Sequence, residues 1–194
     1  MPTNAFALFS EQIQIAGTTS QKMLEILSNL SDNLENPNRR ADYDSWETVL
    51  LTAAMAMAES EQFAPQEETS LMKAVDSALL VGEKKFLTRI QDVTPLGTTL
   101  CIRAGFKLVI VKAGILAFLL ADPADAAKSA RAMALTAEIQ KMFAVYEGMY
   151  LHQLSIETEL EANDPAAYGV LFDLVPLRIQ VRTMLEKGAI IGKM

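Results

Sequence analysis

One histidine and one cysteine are all that this chain holds for imidazole or thiolate chemistry. His152 is too solitary for a multi-histidine metal centre. Glu147 stands five residues before it, not the three of a Glu-x-x-His dimetal motif. Cys101 has no disulfide partner and lies in an apolar stretch, where a thiol acts as a small hydrophobe. Two carboxylate groups remain, Glu59 with Glu61, and Glu157, Glu159 and Glu161 with Asp164. They could suggest a magnesium site of the helical pyrophosphatase kind. Carboxylates two residues apart on a helix point in different directions, however, so the pattern reads as a solvated face. No phosphate loop or dinucleotide turn occurs, and the glycines at Gly188 and Gly192 lack the loop and following helix such a motif needs. The residues call for no catalytic centre, no metal and no cofactor, and a carboxylate-dependent helical enzyme is the weakest reading.

The other residues with chemical character are cations. Arg103, Lys107 and Lys112 interrupt an apolar run from Leu100 to Ala121 that holds no acid between Asp92 and Asp122. They form a candidate basic face, suited either to lipid headgroups or to ion pairs with acids on neighbouring helices. They also leave Ala113 to Ala121 as the longest uncharged stretch, far short of the roughly 20 residues needed to cross a bilayer. A central core helix is the favoured reading, with membrane contact left open. The Arg39-Arg40 pair lies in a short polar loop, and a formal charge of −7 argues against nucleic-acid binding.

These residues must be positioned by helices. The chain is 51% apolar and 21% charged, with ten methionines and few aromatics, a composition that favours one all-α domain spanning residues 1–194. Pro37, Pro65, Pro95 and Pro123 stand 28, 30 and 28 residues apart, and proline fits best at the first turn of a helix. The expected fold is an irregular, elongated bundle of about six helices, with residues 1–20 frayed and 189–194 a tail. Met23, Ile26, Leu27, Leu30 and Leu34 mark one apolar stripe; Trp46, Leu50, Ala53 and Met57 mark a second. A third rod opens at Pro65 with Glu67-Glu68 and carries Met72, Val75, Leu79, Gly82, Phe86, Ile90 and Val93. The fourth starts at Thr94-Pro95.

The fifth rod is expected to start with Asp122 as N-cap and Pro123 at the first helical position. Leu135, Ile139, Met142, Tyr146, Met149, Gln153, Ile156 and Leu160 then follow a four-three alternation, widened by Phe143, Tyr150 and Leu154. Unbroken to Ala162, this helix would be about 60 Å long, so part of it must project, bend or meet another subunit. A last helix opens at Asp164-Pro165, carries Val170, Leu174, Leu177, Val181 and Met184, breaks or kinks before Pro176 and stops at Gly188.

Function follows from surfaces rather than from a reactive centre. The chain reads as a non-catalytic protein-interaction module of adaptor, chaperone-like or scaffold type, with itself as one partner. Its candidate interface is the heptad face of Leu135, Ile139, Met142, Phe143, Tyr146, Met149, Tyr150, Gln153, Ile156 and Leu160, a stripe that reads equally as the internal core of the bundle. The alternative is a bundle that binds lipid or a hydrophobic ligand, using the fourth helix and its small residues Ala104, Gly105, Ala113, Gly114 and Ala117. The lone cysteine and a polar opening without a basic leader fit the cytoplasm, and leave export by a specialised secretion route open.

Overall fold

The computed structural model describes residues 65–86, 94–120 and 124–192. They form α1 (Pro65–Phe86), α2 (Pro95–Leu120), α3 (Ala126–Ser155), α4 (Glu157–Asn163) and α5 (Pro165–Lys187), with no strand among the described residues. The fold is the expected all-α bundle. The apolar stripes at 23–34 and 46–57, the Arg39-Arg40 pair, Glu59, Glu61, Ile90 and Val93 lie outside the described residues.

Helix starts follow the proline signals with one correction. Thr94 caps α2, its hydroxyl oxygen accepting from Gly97 N at 3.1 Å, and Asp164 caps α5 by accepting from Ala167 N at 3.0 Å. For α3 the cap is Asp125 rather than Asp122: its carboxylate accepts from Ala127 N and Lys128 N at 2.9 and 3.0 Å. The helix therefore starts at Ala126, with Asp125 as its cap, while the expected start at Asp122 and Pro123 lies outside the described residues.

The long fifth rod is cut. Ile156 leaves helical geometry at φ −113°, ψ 20°, and donates to Gln153 O at 3.3 Å; its own carbonyl accepts from Glu159 N and Leu160 N at 3.0 Å to start α4. The 30 residues of α3 are thus about 45 Å long, close to the reach of its neighbours. Conversely, the break expected before Pro176 does not occur, since α5 runs through it without interruption. Pro176 and Phe172, whose carbonyl loses its usual donor, both lie on the exposed side of α5, where water can take that hydrogen bond.

Gly188 ends α5, but with φ −76° it is not the left-handed residue. Ala189 is, at φ 54°. Ala189 N donates to Glu186 O at 3.2 Å and Ile190 N to Leu185 O at 2.9 Å, while Ile190 and Leu185 are both buried. This is a Schellman cap with its apolar clasp. Gln140 Nε2 donates to Ile190 O at 2.6 Å and fastens the cap to α3. The expected loose tail is therefore anchored as far as Ile191.

The core is organised around α2, which packs against both α3 and α5. Ile102, Phe106, Leu108, Val109, Ile110, Val111, Ile115, Leu116 and Leu119 are all buried, and α1 adds Leu71, Met72, Val75 and Leu79. Among the described residues no helix is long and apolar enough to cross a membrane.

Candidate functional site

The heptad face of α3 is where an interface was expected, and the chain itself covers most of it. Ile139, Phe143, Tyr150, Gln153 and Leu160 are buried, and Leu135, Met142, Tyr146, Met149 and Ile156 are half-buried against the same core. Phe106 of α2 meets Phe143 and Tyr150 with ring centroids 6.2 and 6.3 Å apart, tilted as aromatic pairs prefer. Gly105 lies beneath the Tyr146 ring, so the small residue serves close approach of α2 and α3. A hydrophobic helix needs apolar partners on several sides, and the α3 seam supplies one of them to α2. Gln153, the expected register residue, sits in that seam with Oε1 buried and without a protein hydrogen-bond partner.

The basic face divides in the same way. Arg103 is exposed and Lys107 half-buried, on a narrow strip shared with Gly114 and Ala117. Lys112 lies nine residues beyond Arg103, about half a turn round the helix, and is only 4% exposed. Its ammonium donates to Glu138 Oε1 of α3 at 2.9 Å. The three cations do not form one surface: Lys112 joins α2 to α3 inside the bundle.

A second charged cluster joins α3 to α5. Glu147 accepts from Arg178 Nε at 3.0 and 2.9 Å through its two oxygens, and from Arg178 Nη2 as well. Arg182 reaches Glu147 at 3.4 Å and donates from Nε to Glu186 at 2.9 Å. Arg178 also lies over the Tyr150 ring, 5.2 Å from its centroid. The hydrogen bond to Glu147 raises the Arg178 pKa further, and burial raises that of the Tyr150 phenol. Every charge is paired and no group faces an open cavity with an altered proton affinity, so this cluster is a clasp between helices.

The sequence candidates for catalysis are placed apart or put to structural use. His152 is exposed near the end of α3, and Cys101 is half-buried in the second turn of α2, its thiol pKa raised by burial. Glu157, Glu159 and Glu161 are exposed, and Asp164 is the α5 cap. Among the described residues no three His, Cys, Asp or Glu side chains converge in a way that could hold a metal ion.

Two features remain that could engage something else. The first is the outer side of α5. Phe172, Val175 and Ile179 are 69, 38 and 57% exposed, with half-buried Tyr168 one turn before them. They lie about a third of a turn round the helix from Leu171, Leu174, Val181 and Leu185, which face the core. The four-three-four spacing of Tyr168, Phe172, Val175 and Ile179 was available in the sequence, but the inward heptad on the same helix masked it. The second is a groove between α1 and α3, floored by Lys112, Ile115 and Leu119 of α2. It holds two cavities, of about 290 and 210 Å³, both bordered by Arg131, which pairs across the groove with Asp76. No periodicity could have announced it, because it arises from spacing between helices.

Comparisons with protein-family models, with curated proteins and with solved structures found no match for this chain.

Proposed function

We propose that this chain is a non-catalytic helical interaction module that self-associates through the outer side of α5. The observation that supports it is the stripe of Phe172, Val175 and Ile179, exposed and apolar beside half-buried Tyr168, on a helix that fills the core with a separate face. A helix apolar on two sides has one more face than its own bundle uses. Charge supports a second copy as the occupant. Asp173 and Lys187 are exposed, lie on the same flank of the stripe and are about four turns apart. In an antiparallel two-fold pairing centred near Ile179 and Gln180, Asp173 of each copy comes opposite Lys187 of the other, and the two Ile179 side chains meet near the axis. The α3 seam, taken up internally, has no part in this contact.

Sedimentation equilibrium on the whole chain tests the reading. The wild type is expected as a concentration-dependent dimer, and the double variant F172E/I179E as a monomer that melts with the wild type diluted to its monomeric range. A wild type that stays monomeric at high concentration removes the proposal. So does a variant that loses thermal stability without changing mass, because the stripe is then covered by another part of the same chain.

A further inference from the structure

We infer that the groove between α1 and α3 is a binding site for a single-chain anionic amphiphile, a carboxylate on an alkyl chain of medium length. This site is separate from the α5 stripe, which contributes no residue to it. Its two ends differ in chemistry. At the wider end Lys73 of α1 meets Lys128 and Arg131 of α3, and the one acid in that lining, Asp125, already accepts two backbone N–H groups at the start of α3. Three cations gathered at one mouth run against the net charge of −7 of the chain, and the resulting local field favours an anion.

Beneath the cations the lining of the wider cavity turns apolar, and that of the narrower one is half apolar and half charged. Met72 and Leu119 line the wider cavity; Leu79, Ile115, Ala134 and Leu135 line the narrower one together with Asp76, Arg131 and the Lys112–Glu138 pair. The lining on α1 runs from Thr69 to Leu79, about 15 Å along the helix, which is about the reach of a ten- to twelve-carbon chain. The wider cavity alone is near the lower end of the roughly 300–1,000 Å³ typical of ligand pockets, and the narrower one adds room for the chain end.

Arg131 is the element on which entry turns. Arg131 lines both cavities, its guanidinium pairs with Asp76 of the narrower one, and both side chains are partly exposed, at 37 and 45%. A pair this exposed contributes little to stability. An incoming carboxylate can therefore take over the guanidinium from Asp76 at small cost, the head held by Lys73, Lys128 and Arg131 and the tail laid along Met72, Leu119 and Ile115. A bare anion would gain only the head contacts and a neutral alcohol only the tail contacts, so the site selects for both parts in one molecule.

The test is titration calorimetry on the full chain with dodecanoate below its micellar concentration. One-to-one binding is expected, with dodecanol and inorganic phosphate each binding at least about tenfold more weakly. The K73E/K128E variant should lose about tenfold or more in affinity, and K73E alone, at an exposed position, should weaken binding at an unchanged melting temperature. D76N should bind more tightly, because Arg131 is released, and A127W, which fills the mouth from an exposed position, should not bind. No heat with dodecanoate overturns the inference, as does an affinity indifferent to K73E/K128E. Equal binding of phosphate, or binding seen only with anionic vesicles, also overturns it in favour of a bare-anion or lipid-surface site. Because F172E/I179E leaves the groove intact, failure of self-association and failure of ligand binding are read separately.

Discussion

The Tyr146 ring lies directly over Gly105, and a Cβ built on that glycine would fall inside the contact distance of three ring carbons. This contact decides the sign of a substitution that usually stabilises a helix. Gly105→Ala should destabilise by about 1–3 kcal/mol, since the ring is wedged in the core and cannot move aside freely. Gly148→Ala on α3, where nothing lies within 4 Å, should instead stabilise by about 0.5–1 kcal/mol through helix propensity alone. Urea denaturation of the two variants is the measurement, and equal signs would show the contact to be unimportant.

The Lys112–Glu138 pair makes a graded prediction. Removing the carboxylate in Glu138→Gln weakens the partner of a buried ammonium and should cost about 1–2 kcal/mol, less than for a wholly buried pair because Glu138 is half exposed. Lys112→Met removes the buried charge itself and should be neutral or stabilising. Denaturation curves in which both variants lose stability equally would assign Lys112 a role beyond this pair.

At the end of α5, Ala189 holds a left-handed conformation that costs an L-residue about 1–2 kcal/mol. Ala189→Gly removes that cost and gives back part of it as chain entropy in the unfolded state. A net gain of about 0.5–1 kcal/mol is expected, read as a rise in melting temperature.

Burial raises the Cys101 pKa, so at neutral pH less of it is thiolate than in free cysteine. Alkylation by iodoacetamide should be slower than for a free thiol, accelerate as pH rises towards the shifted pKa, and reach the free-thiol rate in denaturant. Labelling at the free rate in the folded protein would mean that the second turn of α2 opens readily.

Much of this fold is legible in the sequence because its signals are local. Thr94-Pro95 and Asp164-Pro165 start helices where capping chemistry says they should, and the four-three alternation on α3 marks a face that is indeed buried. Local signals fail where two of them compete. Asp122-Pro123 and Asp125 could each start α3, and the sequence holds no measure of which carboxylate reaches the free amides. Pro176 reads as a break because its effect depends on whether water can reach the Phe172 carbonyl, which is a matter of tertiary exposure. The candidate sites are less legible still. A heptad stripe states that a face is covered but not by what, so the α3 seam reads equally as internal core and as a meeting point between chains, and most of it packs into the chain's own core. The groove at Arg131 depends on three helices at once, and no spacing within any one of them encodes it.

The central place of α2 has a consequence for how the protein is made. This helix leaves the ribosome ahead of α3 and α5, the two helices that shield it, and synthesis proceeds at ~5–20 residues per second, so its greasy surface stays bare for roughly several seconds. During that interval Arg103, Lys107 and Lys112 would be the charges on an otherwise apolar nascent segment, placed as gatekeeper residues are beside unavoidable apolar runs. Lys112, awkward in the finished core, gives the unfinished chain its solubility before Glu138 arrives to neutralise it.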